Sequence, residues 1–456
     1  MSLYGRVRAA GVSDAVSAAV TKPGLAMDPG RLCEIKNEVK QSVLDRVGYS
    51  EAARIASGAD VSRARDELRP AVEAVLNARV SVNLSDDERQ VVMSEVLDDV
   101  VGLGPLQPLL EDDAITEVMV NGCAAAFVER AGKIEPLGSL FESDEQIRIA
   151  IDRIISPLGR RVDERSPMVN ARLVNGYRVN AVIPPIAIDG PALTIRKFSE
   201  RISSLEHLVR LGSLPDWYAR LLSCAVNLRQ DLAVAGGTGS GKTTLLNALS
   251  CEIPVGERIV TIEDSAELKF SRHPHVVRLE AREASIEGEG AVSIRDLVAN
   301  ALRMRPDRIV VGEVRGGEAI DMLQAMNTGH DGSLTTLHAG SAEETIVRLT
   351  LLARYGIDLP GSLIEEQIAM ALDGVVMSVR TPEGKRFVSS YSGVSRGPSG
   401  GVELQEYVSF DPAEECWELV REPPFIEAGL RTGALRKEEV ERWRSLCPHA
   451  RACCAA

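Results

Sequence analysis

The densest chemistry in the chain lies in one short run, Gly236-Gly237-Thr238-Gly239-Ser240-Gly241-Lys242-Thr243-Thr244, which fits the spacing G-x-x-x-x-G-K-[ST]. Glycines at these positions let the backbone curl until successive N–H groups converge on an anion, a path that Cβ atoms would obstruct. Lys242 can reach the β- and γ-phosphates of a nucleotide, and the Thr243 hydroxyl can coordinate Mg2+. Leu232–Ala235 before the run reads as a short buried strand and Lys242–Ser250 after it as a helix, so a helix N-terminus faces the same anion. Strand, loop and helix in that order predict a phosphate-binding loop for ATP and Mg2+ rather than a glycine-rich turn.

Such a loop needs carboxylates at the ends of neighbouring strands, to hold the metal or its water and to orient the attacking water. Arg308-Ile-Val-Val-Gly-Glu313 reads as an apolar strand ending in Gly312 and Glu313. The glycine is expected to let the nucleotide come close, and Glu313 to position and polarise the water. A second strand, Arg258–Ile262, ends at Glu263, Asp264 and Glu267. These could bind the metal's water shell or the ribose side of the nucleotide, with Glu267 a candidate toward Mg2+; a solvated loop is the plainer alternative. His330 and His338 flank the strand Ser333–Leu337, and both are expected near the site. Eight residues apart across a strand they make a poor zinc pair. Sensing the γ-phosphate or touching a neighbouring subunit fits them better, with a structural role the alternative for each.

The elements that must position these groups follow from periodicity. From about residue 205 onward strands alternate with the helices Ser293–Met304, Gly317–Thr328 and Ala342–Ala353, which implies a parallel sheet covered by helices. Residues 85–204 read as a small α+β domain, with strands at Ile115–Val120, Ala126–Glu129, Tyr177–Ile183 and Ala192–Phe198 and a helix near Glu145–Ile155. Before it, residues 1–84 carry helical spacing in Leu32, Ile35, Val39, Val43 and Val47, and again in Val61, Ala64, Leu68, Val72 and Val75. Ser85 with Glu88 forms a capping box for a further helix, and Gly102 is placed to stop it. Residues 205–410 form the nucleotide-binding domain, and residues 411–456 hold no strong pattern and read as an appendage.

Composition bounds the function. The 456 residues are 45% hydrophobic and 26% charged but only 4% aromatic, as in a soluble globular protein whose core is aliphatic. A net charge of −14 counts against a phosphate-tracking groove, so no nucleic-acid partner is expected. Neither an apolar run of about 18 residues nor a leader-like N-terminus is present, which predicts a cytoplasmic protein. The eight cysteines read as free thiols. Cys447, His449, Cys453 and Cys454 offer four soft ligands in one short stretch, but tetrahedral closure by so short a loop is strained.

With these residues in hand a resemblance becomes specific. Arg308-Ile-Val-Val-Gly-Glu-Val-Arg-Gly-Gly-Glu318 through Thr328-Gly-His-Asp-Gly-Ser-Leu-Thr-Thr-Leu-His-Ala339 resembles the type II/IV secretion traffic ATPases, and the chain is most similar to their Tad/Flp pilus assembly branch. Gly102-Leu-Gly-Pro-Leu106, Arg178-Val-Asn-Ala-Val-Ile-Pro-Pro185 and Leu193-Thr-Ile-Arg-Lys-Phe198 have counterparts there, so the likeness covers about residues 85–410. It implies an α/β, RecA-like P-loop ATPase domain preceded by a small α+β domain and a helical extension. It also implies a homohexameric motor that hydrolyses ATP for a pilus or secretion machine, held at the inner membrane by platform proteins. By position, Gly236–Thr244 resembles the Walker A loop, Glu263, Asp264 and Glu267 the aspartate box, Ile309–Glu313 the Walker B strand with Glu313 as catalytic glutamate, and His330 and His338 the histidine box. Arg178 and Arg196 resemble arginines that reach nucleotide phosphates. The strand has Val310 and Val311 where a direct metal-binding aspartate could stand, so Glu313 and the acidic cluster must share that work. A nucleic-acid translocase on a similar motor and a non-hydrolysing, nucleotide-gated scaffold are the competing readings.

Overall fold

The computed structural model of the chain describes residues 29–48, 51, 55, 61–78, 84–130, 132–173, 175–197, 204–270, 272–282, 290–398 and 400–448. It divides into two compact units, Met1–Phe198 and Ser199–Ala456. His449, Cys453 and Cys454 lie outside the described residues.

The first unit has two cores. Helices α1 (Pro29–Val47), α2 (Val61–Ala78) and α3 (Asp86–Val101) bury one apolar stripe each: Val39 and Val43, Leu68 and Val72, Val92 and Val96 meet in a common cluster. The Ser85–Glu88 capping box opens α3 and Gly102 closes it. A short helix α4 (Gln107–Glu111) leads into a six-stranded antiparallel sheet in the order β3-β2-β1-β6-β5-β4. Its strands are β1 (Ile115–Asn121), β2 (Ala125–Arg130), β3 (Lys133–Gly138), β4 (Met168–Arg172), β5 (Arg178–Val182) and β6 (Ala192–Arg196). Helix α5 (Asp144–Ile155) buries Ile147, Ile151 and Ile154 in the same core as Val118, Val179 and Leu193.

The second unit is the α/β, RecA-like domain. Helices α6 (Leu205–Arg210) and α7 (Asp216–Asn227) precede a nine-stranded sheet in the order β15-β14-β13-β12-β7-β11-β10-β8-β9. Six strands run parallel: β7 (Leu232–Gly236), β8 (Ile259–Glu263), β9 (Val276–Glu280), β10 (Arg308–Val311), β11 (Leu334–His338) and β12 (Gly374–Arg380). Strand β7 is buried at every position, as a strand with sheet on both sides and helices on both faces must be. The covering helices are α8 (Lys242–Ser250), α9 (Ile294–Ala301), α10 (Glu318–Asn327), α11 (Ala342–Gly356) and α12 (Gly361–Ala371).

Beyond β12 the chain departs from the expected picture. Strands β13 (Arg386–Arg396), β14 (Val402–Asp411) and β15 (Cys416–Leu419) extend the sheet antiparallel. The segment after Asp411 is no loose appendage: Leu419 on β15, Phe425 and Ile426 on α13 (Pro424–Thr432), Val440 and Trp443 on α14 (Lys437–Arg444), and Cys447 lie in one core with Leu232 and Val234. Trp443 Nε1 donates to Trp217 O at 2.8 Å. Buried Cys447 has its thiol pushed up to about 12 by that burial, which suits a core side chain. Short elements with few apolar residues leave little periodicity, so only tertiary packing reveals this part.

Candidate nucleotide site

Three parallel strands end together beneath the glycine loop, since Gly236 pairs in register with His338 on β11 and with Ser378 on β12. A Cβ at Gly236 would lie 2.2 Å from Ser378 O, so only glycine allows this approach. Gly239 and Gly241 turn the chain through the left-handed region, at φ +70° and +99°. Helix α8 then starts at Lys242 with no side chain capping it, which directs its first amides at the loop's concavity. Gly237 and Thr238 are exposed, Ser240 is buried, and Thr243 and Thr244 are half-buried in the first turn. Lys242 is 7% exposed. Its Nζ donates to Gly237 O at 2.9 Å and lies 3.3 Å from His338 Nδ1.

Strand β10 runs between β8 and β11, and its continuation is pinned from both sides. Gly312 N donates to Ile262 O at 2.8 Å and Val314 N to Thr336 O at 2.9 Å. The buried Thr336 hydroxyl donates to Gly312 O at 2.7 Å. Glu313 is held between these anchors. Its Oε2 accepts from Arg315 Nη2 at 2.8 Å, and its Oε1 lies 3.1 Å from His338 Nε2. The result is a continuous chain from Lys242 through His338 and Glu313 to Arg315. An ammonium at Nδ1 requires the ring proton to sit on Nε2, toward Glu313. Burial first, and Lys242 second, hold the imidazole below its usual range, with Glu313 opposing. Arg315 is raised by its hydrogen bond to Glu313.

Glu263 is 2% exposed. Its Oε1 accepts from Glu267 N at 2.7 Å and Leu268 N at 3.0 Å. Burial raises the carboxyl, and those two backbone bonds oppose the rise. A Cβ at Gly312 would lie 2.9 Å from Glu263 Cγ. The glycine therefore makes room for Glu263. Asp264 is exposed, its Oδ2 3.7 Å from Arg315 Nη1, and Glu267 serves Glu263 through its backbone N–H. Glu263 Oε2 is buried and, among the described residues, accepts no hydrogen bond, while Glu313 Oε1 faces His338 Nε2. An orphaned carboxylate oxygen of this kind suits the water shell of a cation, so Glu263 fits a Mg2+ bound through water, with the half-buried Thr243 hydroxyl in the first turn of α8 as a further oxygen ligand.

The family described as Type II/IV secretion system protein matches residues 99–388. The chain belongs to this family. Among its relatives is a candidate conjugal transfer protein of Mycobacterium tuberculosis (strain ATCC 25618 / H37Rv), 37% identical over 326 residues, which are 70% of this chain and 92% of that protein. The type IV secretion system protein VirB11 of Brucella suis biovar 1 is 37% identical over 304 residues, 60% of this chain and 83% of its own. The solved VirB11 ATPase from the Brucella suis type IV secretion system, in complex with sulphate, shares 34% identity over 63% of this chain and 91% of its own, with a TM-score of 0.35. As a type II/IV secretion ATPase the chain binds nucleotide and is an ATP hydrolase.

Not every residue expected at the secretion ATPase's site is there. His330 precedes β11, at the end where Leu334 pairs with Leu232, and its Nδ1 lies 3.3 Å from Ala325 O. In a parallel sheet that edge is opposite the loop, at least about 13 Å away along β11. The correction follows from strand direction: two histidines flanking one strand sit at opposite edges. Arg178 and Arg196 belong to the first unit, directly opposed on β5 and β6. Arg172 on β4 pairs with Arg178, and Glu117 on β1 pairs with Arg196. Arg172, Arg178, Arg196 and Glu117 thus stand in one row across four strands, with Glu117 the anion next to Arg196. Arg315, two residues beyond Glu313, is marked in the sequence by spacing alone, and Ser378 and Arg386, which contact the loop's carbonyls, are marked by no local pattern. Among the described residues no helix is long and apolar enough to cross a membrane.

Proposed function

We propose that the chain is a homohexameric motor that hydrolyses MgATP at Gly236–Thr244 to power a Tad/Flp-type pilus or another type II/IV secretion machine, working in the cytoplasm against platform proteins of the inner membrane. The observation that supports the chemistry is the chain Lys242–His338–Glu313, which links the phosphate loop to the carboxylate read here as the water-orienting group. Lys242 would leave Gly237 O for the phosphates, and His338 would follow the presence of the γ-phosphate through Lys242. Glu313, with one oxygen on Arg315 and the other facing His338, would orient the attacking water. Mg2+, held through Thr243 and the waters on Glu263 and Glu313, would neutralise charge on the transferring phosphoryl group. Arg178 and Arg196 would add positive charge toward the phosphates.

The test is Mg2+-dependent ATP turnover of the purified chain beside Glu313→Gln, with and without single-stranded DNA, together with the mass of the assembly in solution. A loss of roughly 10²–10⁴ in kcat for the variant, indifferent to DNA, supports the motor. Strong stimulation by DNA favours a translocase; wild-type turnover in Glu313→Gln rejects the role given to Glu313.

A further inference from the structure

Two carbonyls of the phosphate loop are held from outside by the hairpin that β12 and β13 form. Ser378 Oγ donates to Ser240 O at 2.7 Å, buried, and Arg386 Nε donates to Gly239 O at 2.9 Å. Ser378 also supplies the backbone oxygen against which Gly236 packs. The hairpin is offset at Met377/Ser378, and beyond that bulge Arg380 and Arg386 face each other across the two strands. Both reach the loop: a Cβ on Gly239 would meet Arg380 Nη1 at 3.0 Å, and a Cβ on Gly241 would meet Arg386 Cδ at 3.4 Å. Bulges of this kind re-aim a side chain locally.

In a planar trans peptide the carbonyl and the next N–H point in opposite directions. Fixing the Gly239 and Ser240 carbonyls against the hairpin therefore turns the Ser240 and Gly241 amides away from it, toward the concavity. The Ser240 amide indeed points to Gly237 O, at 3.4 Å, the same oxygen that Lys242 Nζ contacts.

We propose that Ser378 and Arg386 are positioning residues of the nucleotide site, holding the loop's carbonyls outward so that its amides are already aimed at the phosphates. Neither needs to touch the nucleotide to act. The proposal rests on reading Gly236–Thr244 as the phosphate loop. It adds that the loop's shape is set by a hairpin about 140 residues further along the chain.

The test compares Ser378→Ala, Arg386→Gln, Arg386→Lys and Lys242→Ala in the full chain. Readouts are calorimetric binding of ADP, KM and kcat for ATP, and unfolding without nucleotide. Arg386 is exposed and Ser378→Ala removes one oxygen, so both variants are expected to fold with an unfolding midpoint close to wild type. Expected are a Kd for ADP and a KM for ATP raised roughly three- to tenfold in Ser378→Ala and Arg386→Gln, with kcat changed less than about twofold. Arg386→Lys, which keeps a cationic donor, recovers part of the loss, as a defect in general stability would not. Wild-type Kd and KM in both Ser378→Ala and Arg386→Gln, with ADP binding lost in Lys242→Ala, overturn this proposal and leave the phosphate loop standing. Wild-type ADP binding in Lys242→Ala removes the loop reading and this inference with it.

Discussion

Lys242 Nζ and His338 Nδ1 lie 3.3 Å apart, across two strands that pair Gly236 with His338 in register. Residues 96 positions apart in the chain thus share one proton-sensitive contact at the root of the phosphate loop. The ammonium is held by a neutral imidazole, and the imidazole is turned so that its proton faces Glu313.

That contact sets a pH dependence. His338 is held below its usual 6.5, so its charged form is disfavoured in the fold. The stability it contributes is present above the unfolded value and lost as pH falls toward the lower, folded one. Protonation also sets two cations against each other at Lys242. ATP turnover is therefore expected to fall on the acid side, below about pH 6.5, and this limb should be weaker in His338→Asn. Rate profiles between pH 5 and 8 check it; an unchanged acid limb in the variant would assign the titration to another group.

Gly312→Ala should injure the site without touching a nucleotide. A methyl group there meets the Glu263 side chain at 2.9 Å, and Glu263 is buried with its Oε1 on two backbone amides. The carboxylate must shift, taking the turn at Glu267 with it. Turnover is expected to drop about tenfold or more with a raised Mg2+ requirement, measured by titrating Mg2+ at saturating ATP.

At the opposite edge of the sheet, burial raises the Asp231 carboxyl to about 8, and Asp373, whose Oδ2 accepts from Asp231 N at 2.8 Å, is raised by the same cause. A folded value above the unfolded 3.8 means that stability is greatest in acid and lost as pH rises toward 8. Asp231→Asn cannot ionise yet keeps an oxygen for the Ser333 amide, which Asp231 Oδ1 accepts at 2.8 Å. Its thermal midpoint should vary less between pH 5 and 8 than that of the wild type.

Trp443→Ala should cost about 3–5 kcal/mol, because the ring is 7% exposed and its Nε1 bonds to Trp217 O. Denaturant unfolding measures the loss. A change under about 1 kcal/mol would mean that α14 is detachable after all.

Local signals carried the site's centre. The strand and helix that flank Gly236–Thr244, and the apolar strand Arg308–Val311 before Glu313, each need only neighbours in sequence, and all three form. The errors arose where direction or distance along the chain decides. His330 was misjudged because strand polarity, not proximity to a strand, sets the edge. The packing of Gly312 on Glu263 has no local signal, because Glu263 arrives from another strand. Ser378, Arg386 and the core residues after Asp411 were invisible because their partners lie far away in sequence and their own segments are short.

The position of β7 also has a consequence for synthesis. Its two sheet neighbours, β11 and β12, are the segments Leu334–His338 and Gly374–Arg380. On the ribosome, where chains grow at about 5–20 residues per second, this wholly apolar strand must wait roughly seven to thirty seconds for both flanks. During that interval the nascent protein presents an unpaired, sticky segment to the crowded cell. Chaperone demand should therefore peak before residue 380 has emerged, and rare codons between β7 and β12 should lower the yield of folded protein more than the same codons placed after β13.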